Sequence, residues 1–257
     1  MKKMTTTFSV IRLVRKLGEQ LSLLGCLIAL PLAAQAQIAF SDFSSSDGLV
    51  LVGDAGISDG EMRITADAEN QKGAVWFNAK QTVQDGFSTT FQLQILRSRR
   101  VAGEGMAFLI HNGNTRAVGR GGDGLGYAGI SNSIAIEFDF FRTGEADPNS
   151  NHIAVHSLRT SSNSPTELNA RLGVASRIAD LNDGSVHTVK INYEAGTLDI
   201  FLNDFNTPVL TVDVELSTQL ALEDGKAFVG FVASTGRACQ MHKILNWRFQ
   251  SSSEEDE

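Results

Sequence analysis

Glu137, Asp139, Asp147 and His152 are the side chains whose types and spacing most suggest chemistry in this 257-residue chain. Three carboxylates and an imidazole make a mixed oxygen and nitrogen set. Such a set suits a borderline first-row ion, manganese or zinc, better than calcium alone. Asp139 and Asp147, with loop carbonyls such as that of Phe141, also offer oxygens to a second, harder ion; calcium takes about six to eight of them. A plainer reading stays open at this level. The carboxylates would pair with Arg142 or with solvent, and His152 would be a satisfied core residue.

Two further segments carry polar groups in unusual company. Glu104 stands between Gly103 and Gly105 at the mouth of the apolar run Met106-Ala107-Phe108-Leu109-Ile110. A carboxylate flanked by bare backbone can accept two hydroxyl hydrogen bonds, a common way to hold a sugar, although an ordinary turn has the same composition. Gly119-Arg120-Gly121-Gly122-Asp123-Gly124-Leu125-Gly126-Tyr127 is dense in glycine but lacks the GxxxxGK[ST] pattern of a phosphate loop. Its glycines would let backbone N–H groups approach a ligand closely, or simply make the loop flexible.

The elements that must position these groups read as strands. Ile134, Ile136, Phe138 and Phe140 alternate with Ala135, Glu137, Asp139 and Phe141, so a period of two puts both carboxylates and one ring on the same face. Pro148 and its polar neighbours turn the chain before His152 re-enters an apolar run. Phe87 to Ile95, Val189 to Tyr193, Leu198 to Leu202 and Leu245 to Phe249 alternate in the same way, and Phe228 to Ala233 is nearly all apolar. No segment reads as a long amphipathic helix, and no internal repeat is found. Short strands at close spacing predict an all-β antiparallel sandwich. Arg159 to Glu167, rich in Ser, Asn and Thr, reads as a surface loop.

At 42% hydrophobic content the chain can bury one sizeable core, and nothing in it requires a second domain. Residues 1–36 differ in kind. Lys2, Lys3, Arg12, Arg15 and Lys16 precede an apolar run from Leu21 to Leu32 that ends in Ala34-Gln35-Ala36, the order of a secretory signal peptide. Leu23-Leu24-Gly25-Cys26 resembles a lipoprotein cleavage box, but Glu19 and Gln20 leave little apolar chain before it. A retained membrane helix is disfavoured by Pro31 and by the shortness of the run. Residues 37–251 would form the domain, and residues 252–257 an acidic, disordered tail. Without residues 1–36 the balance is 17 basic against 28 acidic residues, or −11, which disfavours nucleic acid and anionic membrane. Cys239 would then be the sole cysteine, so the fold must rest on its core without an intrachain disulfide.

Taken in order, these segments resemble the legume-type (L-type) lectin family, particularly its bacterial members. Gly105-Met106-Ala107-Phe108 is similar to the family's Asp-Gly-Leu-Ala-Phe strand. Gly124 to Ile130 with Asn132 to Asp139 is similar to its glycine loop and metal strand, and Asp147-Pro148 with Asn151-His152-Ile153 to the return. His187 to Ile191, Val229 to Gly236 and His242 to Phe249 resemble the closing strands, so the likeness runs from about Ile38 to Ser251. The resemblance implies a jelly-roll sandwich and an exported, non-catalytic carbohydrate-binding protein, secreted, periplasmic or at the cell surface. It implies Ca2+ and a transition metal, Mn2+ foremost. Glu137, Asp139, Asp147 and His152 would hold the transition ion. Asp139, Asp147, the Phe141 carbonyl and the Thr143 side chain would hold calcium. The sugar would lie on Phe141 and bond to Glu104, a backbone N–H near Gly122, and Thr143.

Two positions depart from the family pattern. Glu104 stands where the family has Asp, and Thr143 where it has Asn; Asn149 or Asn151 are the nearby amides that could substitute for the latter. Gly121, Gly122 and Gly124 are alternative donors in the glycine loop. These departures keep a second reading in view, a structural or adhesion module with the metal but altered or lost sugar recognition. A glycoside hydrolase is disfavoured, because the Glu-x-Asp-x-x-Glu pattern of sandwich glucanases is broken by Arg142. The sequence leaves the identity of the sugar open, and the oligomeric state, a homo-oligomer included.

Overall fold

The computed structural model describes residues 37–96 and 103–252. The leader-like residues 1–36 and the acidic tail from 253 onward lie outside the described residues. Ser252 donates its backbone N–H to Gly86 at 2.9 Å.

The described chain is a sandwich of two antiparallel eight-stranded sheets. One sheet runs β14 (Leu210–Val214), β13 (Gly196–Leu202), β12 (Val186–Glu194), β7 (Gly86–Leu96), β16 (Met241–Ser251), β4 (Glu61–Thr65), β3 (Gly56–Ser58), with β1 (Gln37–Phe40) also on β16. The other runs β11 (Arg171–Ala175), β10 (His152–Ser157), β9 (Ser133–Asp139), β8 (Gly105–His111), β15 (Lys226–Ser234), β5 (Lys72–Phe77), β2 (Leu49–Gly53), with β6 (Gln81–Thr82) also on β15. The longest helix among the described residues is the four-residue α1, Leu216–Gln219.

The two sheets are built from different patterns, and the difference positions the site. In β7 and β12 every second residue is buried and the others face outward, as expected of a sheet covered on one face. In β8, β9 and β10 every residue is buried. Their inner face joins the main core, where Phe231 lies 4.9 Å from Phe91, 5.5 Å from Phe108 and 5.0 Å from Trp247 between ring centroids. Their outer face is roofed by the chain between β8 and β9. Leu125, Tyr127 and Ile130 of that segment pack with Ala107, Leu109, Ala135 and Trp76 in a second apolar cluster. Glu137 and Asp139 sit on this roofed outer face, in one row with Ala135.

Arg159 to Glu167 is exposed apart from residues 163–165. Asn163 is buried, and its amide donates to the carbonyls of His156 and Ser133, so a polar side chain replaces missing sheet bonds at the edge of β9 and β10. The inner core is the main source of stability. Phe231→Ala removes a ring packed against three others, and we expect a loss of about 3–5 kcal/mol in chemical denaturation, with the sandwich still folded.

Candidate metal centre

Strand register builds the site. Glu137 lies opposite Ala107 on β8 and Ala154 on β10, and Asp139 lies opposite Gly105 and His152. Small neighbours leave room for the carboxylates. A Cβ on Gly105 would come within 2.5 Å of the Phe138 carbonyl, so this position admits no side chain at all. His152 and His156 flank Ala154 on the same face of β10, and their rings converge on Glu137 from either side.

Ligand atoms of Glu137, Asp139 and His152 all lie within 4.8 Å of one another, and all three residues are buried. His152 Nε2 is 3.5 Å from Glu137 Oε1 and 3.8 Å from Asp147 Oδ1. Asp147 is therefore brought to the rim of the group, against His152, and it too is buried. His152 Nδ1 faces the Asn149 carbonyl at 3.0 Å, which only an N–H can satisfy, so Nε2 is the ring atom turned to the carboxylates. Glu137 Oε1 has no hydrogen-bond partner of good geometry despite full burial. Nε2 and that orphaned oxygen face each other, and a cation between them, a proton or a metal ion, satisfies both. By donor chemistry and by that orphaned atom, the residues present fit a divalent ion.

Arg142 does not neutralise the carboxylates. Its Nε donates to the backbone carbonyl of Asp147 at 3.1 Å, and the carboxylates themselves are shielded from solvent. The plainer reading of a solvated or Arg-paired acidic loop is thereby set aside. Asn149 and Asn151 are also committed elsewhere, to the carbonyls of Ser176 and Ala179 respectively, so neither stands in for an amide at position 143.

Two neighbours escaped sequence reasoning. The Tyr127 hydroxyl donates to Glu137 Oε2 at 2.5 Å, and His156 Nε2 stands 3.1 Å from Glu137 Oε1. His156 is detectable in principle as the second member of a His-x-x-x-His pair on one strand face. Tyr127 comes from the roof, and nothing in local spacing links it to Glu137.

Electrostatics show what the site wants. Burial works against ionisation of Glu137, but the two imidazoles and the Tyr127 hydroxyl outweigh it and hold the carboxyl at about 2. Asp139 is pushed up to about 9, first by burial and then by the charge of Glu137. Asp147 is also raised, mainly by burial.

The remaining candidates cluster beside this group. Glu104 precedes β8, and its carbonyl accepts the Phe140 N–H at 2.9 Å, which puts it across from the end of β9. Burial, and then the charge of Asp123, raise its carboxyl. Phe141 follows β9 and is 39% exposed as a residue, and its N–H donates to Asp139 Oδ1 at 2.7 Å. Thr143 is half-buried, and its N–H donates to Asp147 Oδ2 at 2.5 Å. Gly122 has φ of +58° and open space where a Cβ would stand.

A pH dependence follows. Asp139 has a folded value above its ordinary one of about 3.9, so in the ion-free protein its contribution to stability is full below pH ~4 and is lost as pH rises toward about 9. A divalent ion entering near neutral pH must displace that proton. Calorimetric titration with Mn2+ in two buffers of different ionisation enthalpy should show release of about one proton, and Asp139→Asn should abolish both the release and the uptake. Equal heats in the two buffers would contradict this assignment.

Comparison with known proteins agrees with the geometry. The family model of the legume lectin β-barrel domain, the L-type lectin domain, matches residues 40–247. A probable L-type lectin-domain containing receptor kinase from Arabidopsis thaliana is 29% identical over 239 residues, covering 79% of this chain and 33% of that protein. The chain thus spans about a third of the length of that relative. The lectin alpha chain of Lablab purpureus is 27% identical over 254 residues, 88% of this chain and 85% of that one. Among solved structures, a lectin from Bauhinia forficata in complex with GalNAc superimposes with a TM-score of 0.71 at 22% identity, over 86% of this chain and 99% of the other. With the matched model covering most of its length, the chain belongs to the legume-type (L-type) lectin domain family.

Proposed function

We propose that this protein is an exported lectin whose sugar site is held in shape by a transition ion, Mn2+ foremost, and by Ca2+. The observation that carries the reading is that Phe141 and Thr143 hang by their backbone N–H groups from Asp139 and Asp147. Ions bound to those carboxylates would fix the backbone that presents the sugar contacts. Glu137, Asp139, Asp147 and His152 would hold the transition ion. Asp139, Asp147, the Phe141 carbonyl and the Thr143 side chain offer an all-oxygen set to calcium. The ions supply charge neutralisation and order the loop; no bond is broken.

In this reading a sugar ring stacks on the exposed face of Phe141. Its hydroxyls donate to the Glu104 carboxylate and accept from a backbone N–H at Gly122 or its neighbours, with Thr143 at the rim. That the relatives are lectins, one of them solved with GalNAc, supports a carbohydrate ligand. The composition of residues 1–36 supports export to the cell surface, periplasm or medium, and no helix among the described residues is long and apolar enough to cross a membrane.

Glu104 and Thr143 favour one other reading, a structural or adhesion module that keeps the ions but not the sugar. The two are separated by calorimetry against a panel of mono- and disaccharides. The lectin reading expects binding in Ca2+ and Mn2+ that a chelator abolishes, and a roughly tenfold or greater loss in Phe141→Ala. The module reading expects binding to emerge only in the double variant Glu104→Asp with Thr143→Asn. A protein that binds no sugar with both ions present is not a lectin.

A further inference from the structure

The loop that carries Gly122 also borders a larger recess. Arg120 pairs with Ala128 in an isolated antiparallel bridge, folding the loop back on itself. Along it opens a cleft of about 560 Å3, with Lys72 and Arg120 at its wall and Ala117, Val118 and Ile130 among its apolar lining. A second recess of about 380 Å3, walled by Ser162, Ser164, Thr166 and Glu167, shares Arg120, Ala128 and Gly129 with the first. Each is of a size that takes a small ligand, about 300–1,000 Å3.

We propose that this cleft is a second saccharide subsite, for a ring carrying a negatively charged group on the same glycan whose first ring lies at Phe141 and Gly122. This rests on the lectin reading and extends it. Two cations and no carboxylate line the larger cleft, on a chain whose net charge is −7. Lys72 is exposed at the wall of the cleft. Its backbone N–H is held by Asp54 at 2.8 Å, which fixes where the side chain starts. The Lys72 stem runs beside Gly121, where a Cβ would meet its Cβ and Cδ at 3.9 Å, so the cation stands next to the residue that precedes Gly122. Arg120 approaches Asp123 only at 3.4 Å, with its side chain 60% exposed, and its planar fork retains donors for a second anion.

The aliphatic lining matches the C–H face of a sugar ring, and the hydroxyls of the adjoining recess match its polar edge. Carboxylate and sulfate share the chemistry that Lys72 and Arg120 would recognise, so both are probes.

The test uses matched neutral, sulfated and uronate disaccharides built on galactose, glucose and mannose, titrated into the full chain with Ca2+ and Mn2+. A charged member should bind about tenfold more tightly than its neutral parent at low ionic strength, the advantage shrinking as salt rises. Whether the sulfate or the uronate series gains shows which anion is taken. In the double variant Lys72→Gln with Arg120→Gln the advantage should vanish, while affinity for the neutral parent and the melting temperature stay unchanged. Equal binding of neutral and charged members, or a preference that survives in the variant, overturns this inference and leaves the lectin reading standing. Absence of binding to every member defeats both.

Discussion

Two carboxylates packed on one roofed sheet face, with a third from the following loop at their rim, are the constraint around which the rest of this structure is arranged. Glu137, Asp139 and Asp147 are shielded from water, where like charges repel far more strongly than on a surface. The ion-free protein relieves this by keeping Asp139 protonated, as its value of about 9 shows. A divalent ion would relieve it differently, by letting all the carboxylates ionise. Because the backbone N–H groups of Phe141 and Thr143 are bonded to Asp139 and Asp147, the choice between proton and metal reaches directly into the loop that would meet a sugar.

The fold makes such a face available. A sheet covered on both sides can hide polar groups as well as apolar ones, provided their neighbours are small and their partners come from elsewhere in the chain. Ala107, Ala154 and Gly105 supply the space. The roof supplies Tyr127, which occupies one oxygen of Glu137 and leaves the other turned toward the imidazoles. The same roof carries Gly122 beside the cation-lined cleft. One loop therefore covers the second core, steadies the Glu137 carboxylate and borders both proposed sugar-binding recesses.

How much of this was legible in the sequence divides along physical lines. The sandwich and its strands were readable because alternation with period two is a local property, written in β7, β9 and β12 alike. Glu137, Asp139 and His152 were readable as a group because they lie on two strands joined by a short return. Tyr127 was not, since its meeting with Glu137 depends on how the roof folds, and His156 shows only as a His-x-x-x-His partner whose link to Glu137 is set by strand register. The commitments of Asn149 and Asn151 to the chain around Ser176 and Ala179 are likewise contacts of tertiary origin. Arg159 to Glu167 is the surface loop its composition suggests, with residues 163–165 as its buried exception. Asn163 turns inward there to satisfy strand carbonyls.

The central claim is that the buried carboxylate and imidazole group is a metal centre. Elemental analysis of the purified protein, after exhaustive dialysis against trace metal-free buffer, tests it most directly. The account predicts one transition ion and one calcium per chain, with Glu137→Gln or His152→Ala losing the transition ion. Protein that emerges folded, sugar-binding and free of both ions would contradict it.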